Sequence, residues 1–113
     1  MNLLKKGDTV KIIDRNHVGF NEILKIRKVT KHEHKLIILY MLENEDDRYY
    51  CGKEQLMKIG TKDWFYRILF MHKNIGETIK NNPNEHEDIL KDYAKILIES
   101  SNELIKYSYL LNN

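Results

Sequence analysis

The chain has 113 residues, 42% of them hydrophobic and 32% charged, a globular balance that excludes both a multidomain enzyme and an extended disordered chain. Nineteen Lys and Arg against seventeen Asp and Glu leave a formal charge of +2, too little for a wholesale polyanion binder, so charge has to be read locally. A single cysteine, Cys51, excludes an internal disulfide and a cysteine zinc site and fits a reducing cytoplasm.

The first ten residues hold two adjacent leucines before Lys5, Lys6 and Asp8, which is not the apolar core of a signal peptide. Lys6-Gly7-Asp8 then turns the chain into a strand over Asp8 to Asp14, where Val10 and Ile12 alternate with Thr9, Lys11 and Ile13. Asn16 to Asn21, with Gly19, has loop chemistry. Glu22 to Thr30 reads as a second strand carrying Ile23, Leu24, Ile26 and Val29 among basic residues, and the change of phase between Ile26 and Val29 points to a bulge. Lys31 to His34 turns the chain into Lys35 to Leu42, the most β-prone stretch. Its seven-residue apolar run, Leu36 to Leu42, is far short of a membrane span. Glu43 to Asp47 is an acidic loop, Arg48 to Cys51 a fourth strand, Gly52 to Gln55 a tight helical turn and Leu56 to Ile59 a short fifth strand.

The chain changes character at Ile59-Gly60-Thr61. Thr61 is a helix N-cap, because its hydroxyl accepts from a first-turn amide, and Asp63 suits the positive end of the helix dipole. Trp64, Ile68, Met71, Ile75 and Ile79 fall at helical spacing and predict a helix over Lys62 to Lys80. Asn81 to Asn84, with Pro83, breaks it. Asn84 is expected to cap a second amphipathic helix with an acidic first turn and a heptad-like seam of Leu90, Leu97, Leu104 and Leu111. The short break favours an antiparallel hairpin. Two domains follow: residues 1–60 form the sheet part, and 61–113 form a helical hairpin packed on it or on a partner.

Lys6, Gly7, Asp8, Val10 and Ile12 form a Lys-Gly-Asp-x-Val-x-Ile opening. With the Gly19 loop, the strand Leu24 to Val29, the apolar strand, the Tyr49-Tyr50 strand and the terminal Leu-Met-Lys-Ile, it resembles small SH3-like barrels of the KOW and Tudor type over residues 5–59. The resemblance implies an α+β chain: a small five-stranded SH3-like β-barrel followed by the helical hairpin. Such barrels bind RNA, DNA, peptides or proteins without a shared residue set.

No constellation of nucleophile, base and oxyanion donors is assembled by the sequence, the glycines match no phosphate-binding loop, and no cofactor or metal is implied. His32 and His34 share a strand face but have no third ligand, and Cys51 has no histidine near it in sequence. Two binding surfaces remain. Lys25, Arg27, Lys28, Lys31 and Lys35 read either as a phosphate-contacting ribbon for nucleic acid or as lysines that keep an edge hairpin soluble. Ile98, Ile105 and Tyr109 spread apolar surface beyond the leucine seam, which implies contact with a protein partner or a homodimer through the second helix. The leading expectation is a non-enzymatic interaction protein that regulates or inhibits a protein partner. A composition rich in Ile, Lys and Asn suits a low-GC phage or mobile element acting against host machinery or host defence.

Overall fold

The structure is a computed structural model that describes residues 4–32 and 37–112. The chain divides into two compact units, Met1–Ile59 and Gly60–Asn113. The first holds five strands, β1 (Thr9–Ile12), β2 (Ile23–His32), β3 (Ile37–Glu43), β4 (Arg48–Cys51) and β5 (Leu56–Lys58), in one antiparallel sheet of order β4-β3-β2-β1-β5.

Alternation decides which side chains go inward. Val10 and Ile12 of β1, Leu24 and Ile26 of β2, Tyr40 and Leu42 of β3, Cys51 of β4 and Leu56 of β5 are all buried in one cluster, joined by partly buried Leu4, Val29, Ile38 and Tyr49. The register pairs inward residues with one another: Val10 with Leu24, Ile12 with Leu56, Ile26 with Leu42, and Val29 and Cys51 each with Tyr40. Full burial of one such side chain contributes roughly 1.5–3 kcal/mol. The Asp14 to Asn21 loop lies close over this cluster, since a Cβ at Gly19 would stand 2.8 Å from Ile12 Cδ1 and 3.1 Å from the Tyr49 ring.

The SH3-like barrel of KOW or Tudor type expected over residues 5–59 does not form, because the sheet is open. β4 pairs only with β3 and β5 only with β1, so nothing joins the two edges. Barrel closure requires the edge strands to exchange backbone hydrogen bonds, and the segment between them directs its polar groups elsewhere. Residues 53–55 form a 3-10 turn. The Gln55 carbonyl accepts from Ile13 N at 2.8 Å, its side-chain oxygen accepts from Gly52 N at 2.8 Å, and its Nε2 donates to Asp14 Oδ2 at 2.8 Å. This Gln55 clip takes the place of a ladder. The sheet is nevertheless coiled. Five residue steps from Cys51 to Leu56 reach at most about 18 Å, whereas four strand spacings across a flat sheet amount to about 19 Å.

The second unit holds α1 (Lys62–Asn81) and α2 (Glu87–Tyr107), followed by a 3-10 turn at Ser108–Asn112. Thr61 caps α1, its Oγ1 accepting from Trp64 N at 3.1 Å. At the other end Asn82 Nδ2 donates to the Thr78 carbonyl at 2.7 Å. Asn84 does not cap α2. Glu85 N donates to Asn82 O, which folds Asn82 to Glu85 into a turn, and the cap is His86, whose Nδ1 accepts from Asp88 N at 3.2 Å. Trp64, Ile68 and Ile75 are the buried residues of α1, whereas the one buried residue of α2 is Ser100. Side-chain pairs of Trp64 with Glu103 and His72 with Ser100 join the helices, and they run in opposite order along α1 and α2. Gly60, with φ +84°, lies against Leu110. Among the described residues no helix is long and apolar enough to cross a membrane.

Candidate interaction surfaces

On α2 the burial pattern centres on Ser100. Its hydroxyl donates to the Ile96 carbonyl at 2.9 Å, with the Leu97 carbonyl at 3.2 Å, so it is left as the acceptor for His72 Nε2–H at 2.6 Å. Leu97, Leu104 and Leu111 are partly buried on the same side, while Leu90 is exposed. At 100° per residue, Ile98 and Ile105 stand about 140–160° around the helix from Ser100. They are 61% and 76% exposed, and Tyr109, in the turn after α2, is 62% exposed. α1 adds a second outward apolar strip, where the Tyr66 and Phe70 rings stack with centroids 6.1 Å apart.

The basic residues are separated by a bulge. Ile26 pairs with Leu42 and Lys28 with Met41, which leaves Arg27 as the extra residue of β2. Ile26 and Val29 both remain directed to the core, and Lys25, Arg27 and Lys28 are all exposed on the opposite face. Lys31 pairs with Ile38, an inward-packing residue, and so belongs to the other face of the sheet. Lys35 and His34 lie outside the described residues. On the outward face, Lys28, Met41 and Tyr50 form one cross-strand row, and Thr9, Lys25, Glu43 and Arg48 the next. Arg48 Nη2 sits 3.2 Å from Glu43 Oε1. The Glu43 carboxylate, and after it the Tyr50 hydroxyl, raise the pKa of Arg48 above its usual value.

A third constellation has no signature in the sequence. The Asn16 to Asn21 loop brings His17 Nε2 to 3.4 Å from Cys51 Sγ, although 34 positions separate the two residues. His17 Nδ1 accepts from Gly19 N at 2.9 Å, so the proton is on Nε2, which donates to the Tyr50 carbonyl at 3.1 Å. The imidazole therefore offers no base to the thiol. Burial, and secondly the nearby Asp14 charge, push Cys51 up to about 11. This is the reverse of the lowered pKa that activates a nucleophilic cysteine. An approach between a loop histidine and a strand cysteine leaves no local spacing to find. The one local signal is a loop histidine two residues from a glycine. Among the described residues, no group of three or more His, Cys, Asp or Glu side chains gathers as a metal site.

No family model, curated protein or solved structure matches this chain.

Proposed function

We propose that this chain is a non-enzymatic protein-interaction module that regulates or inhibits by docking on a protein partner, or on a second copy of itself, through the outward face of α2. The observation that carries this reading is the exposure of Ile98, Ile105 and Tyr109 on the side of the helix turned away from Ser100. A face of that kind meets only water in the isolated chain, and burying it against a partner contributes about 25 cal/mol per Å² of apolar surface. A buried, protonated Cys51 suits the reducing cytoplasm, and small size and composition suit a regulator encoded by a phage or mobile element.

Ile98→Lys combined with Ile105→Lys should leave the fold cooperative and reduce association, measured by sedimentation for self-association and by pull-down from a low-GC bacterial lysate for a partner. Leu97→Lys, on the Ser100 side, should instead unfold the helical unit. A chain that is monomeric at high concentration, and whose Ile98/Ile105 variant retains every recovered partner, would rule the reading out. Nuclease treatment of the lysate separates a protein partner from one recovered through nucleic acid.

A further inference from the structure

We propose that the outward face of the sheet is a binding surface for single-stranded nucleic acid, with Lys25, Arg27 and Lys28 on phosphates and Tyr50 stacked on a base. This goes beyond the α2 interface, concerns the other unit and does not depend on it.

Lysines on an edge strand are adequately explained as protection against edge-to-edge pairing. β2, however, lies at the centre of the order β4-β3-β2-β1-β5, and at Lys25 it is paired with both β1 and β3, so edge protection does not account for that cation, while from Arg27 onward β3 alone is paired with it. A regular strand would also divide the three cations, since Lys25 and Arg27 would face one way and Lys28 the other. The bulge at Arg27 brings all three to one face without moving Ile26 or Val29 from the core. Among the described residues, none of the three has an ion-pair partner. The acid on that face, Glu43, is engaged by Arg48. Among the described residues no ion pair neutralises the three cations, and a row of phosphates would complement their charge.

Tyr50 settles which nucleic acid fits. Tyr50 is 57% exposed on the outward face, two strands from Lys28 in the same row with Met41 between them, about 10 Å away at the usual strand spacing. An exposed ring beside a basic track offers a platform for an unstacked base, which a duplex does not present. The five-stranded sheet is also too broad to enter a duplex groove, where a two-stranded ribbon would fit. The acidic turn at Glu45 to Asp47 lies beyond the Lys25–Glu43–Arg48 row. Repulsion from that turn directs the strand along the Lys28–Met41–Tyr50 row.

The test is fluorescence anisotropy of the full chain with labelled 20-nucleotide oligothymidylate, oligouridylate and a mixed-sequence duplex, over a range of salt. Single strands of either kind should bind more tightly than the duplex. The triple variant Lys25→Gln, Arg27→Gln, Lys28→Gln should reduce the salt slope by about 0.7 for each phosphate no longer neutralised, whereas Lys31→Gln, on the other face, should leave it unchanged. Tyr50→Ala should weaken binding by about five- to a hundredfold and Tyr50→Phe much less, the span expected for one stacked base. Circular dichroism checks the fold, and if the triple variant fails that check, Lys28→Gln and Tyr50→Ala carry the test singly. The proposal is overturned by no binding up to about 0.1 mM at low salt, the weak end of non-specific affinity. Equal or tighter duplex binding, equal competition by polyglutamate, or an equal loss in Lys31→Gln would overturn it as well.

Discussion

Deleting Arg27 should cost little, although it removes a residue from the middle of the central strand. Ile26 faces Leu42 and Lys28 faces Met41, so excising the extra residue leaves Leu24 inward, Lys25 outward, Ile26 inward, Lys28 outward and Val29 inward. No core side chain changes face, and the ladder becomes regular. The expected change is within about 1 kcal/mol, comparable to an ordinary surface substitution. Deleting Lys25 is the informative contrast. The strand then has to turn either Leu24 or Ile26 out of the core, and these are 5% and 0% exposed. Loss of one such aliphatic side chain costs about 2–5 kcal/mol, before any penalty for the charge that takes its place. Urea unfolding followed by circular dichroism separates the two cases, because a midpoint shift at constant slope reports stability directly. If the Arg27 deletion destabilises as much as the Lys25 deletion, the bulge is essential to the register and the reasoning is wrong.

Ser100→Ala should destabilise the helical unit by about 1–3 kcal/mol by leaving His72 Nε2–H without its acceptor, and most of that loss should return in Ser100→Ala/His72→Leu; thermal melts of the four-member cycle check it, and simple additivity would refute it. Gly60→Ala should cost more than Gly7→Ala. Both glycines have positive φ, with a penalty of about 1–2 kcal/mol, but only at Gly60 does the new Cβ run into Leu110, while Gly7 faces open space; denaturation midpoints decide. Cys51 is raised in the folded chain to about 11 from an ordinary 9.0, so between those values the unfolded state gives up its proton first. The contribution is fully present below pH 9 and is lost as pH rises towards 11, on the order of 3 kcal/mol at 1.36 kcal/mol per pKa unit. Cys51→Ala should flatten that part of the stability curve relative to the tyrosine background, and the thiol of the wild-type chain should label slowly at pH 7.

The five strands and two helices were legible because each is a local pattern. Val10 and Ile12 alternate with polar neighbours, Trp64, Ile68 and Ile75 repeat at helical spacing, and the phase change after Ile26 located the bulge. Barrel closure was not legible. A Gly-Asp-x-Val opening specifies how a strand begins, whereas closure depends on whether residues near Cys51 and Leu56 find each other across the sheet, and Gln55 directs that segment to Ile13 and Asp14 instead. The α2 cap moved from Asn84 to His86 because a turn from Asn82 to Glu85 takes up Asn84. Ser100 carries no local signal in the sequence. Its role depends on His72, which lies on the other helix and at no fixed sequence spacing. The same limit hid the approach of His17 to Cys51.

The pairing of β5 with β1, Val10 beside Lys58 and Ile12 beside Leu56, sets an order of assembly. β2 and β3 are neighbours along the chain and their ladder closes a short loop, whereas the β1–β5 ladder joins the two ends of the sheet unit and has the largest loop-closure entropy to overcome. The hairpin is therefore the natural nucleus and β5 the last strand to dock. Until it does, β1 exposes one side of its backbone as an open edge. On the ribosome that interval lasts until Lys58 has emerged, and in the finished protein the same ladder should be the first in the sheet to exchange its amide hydrogens.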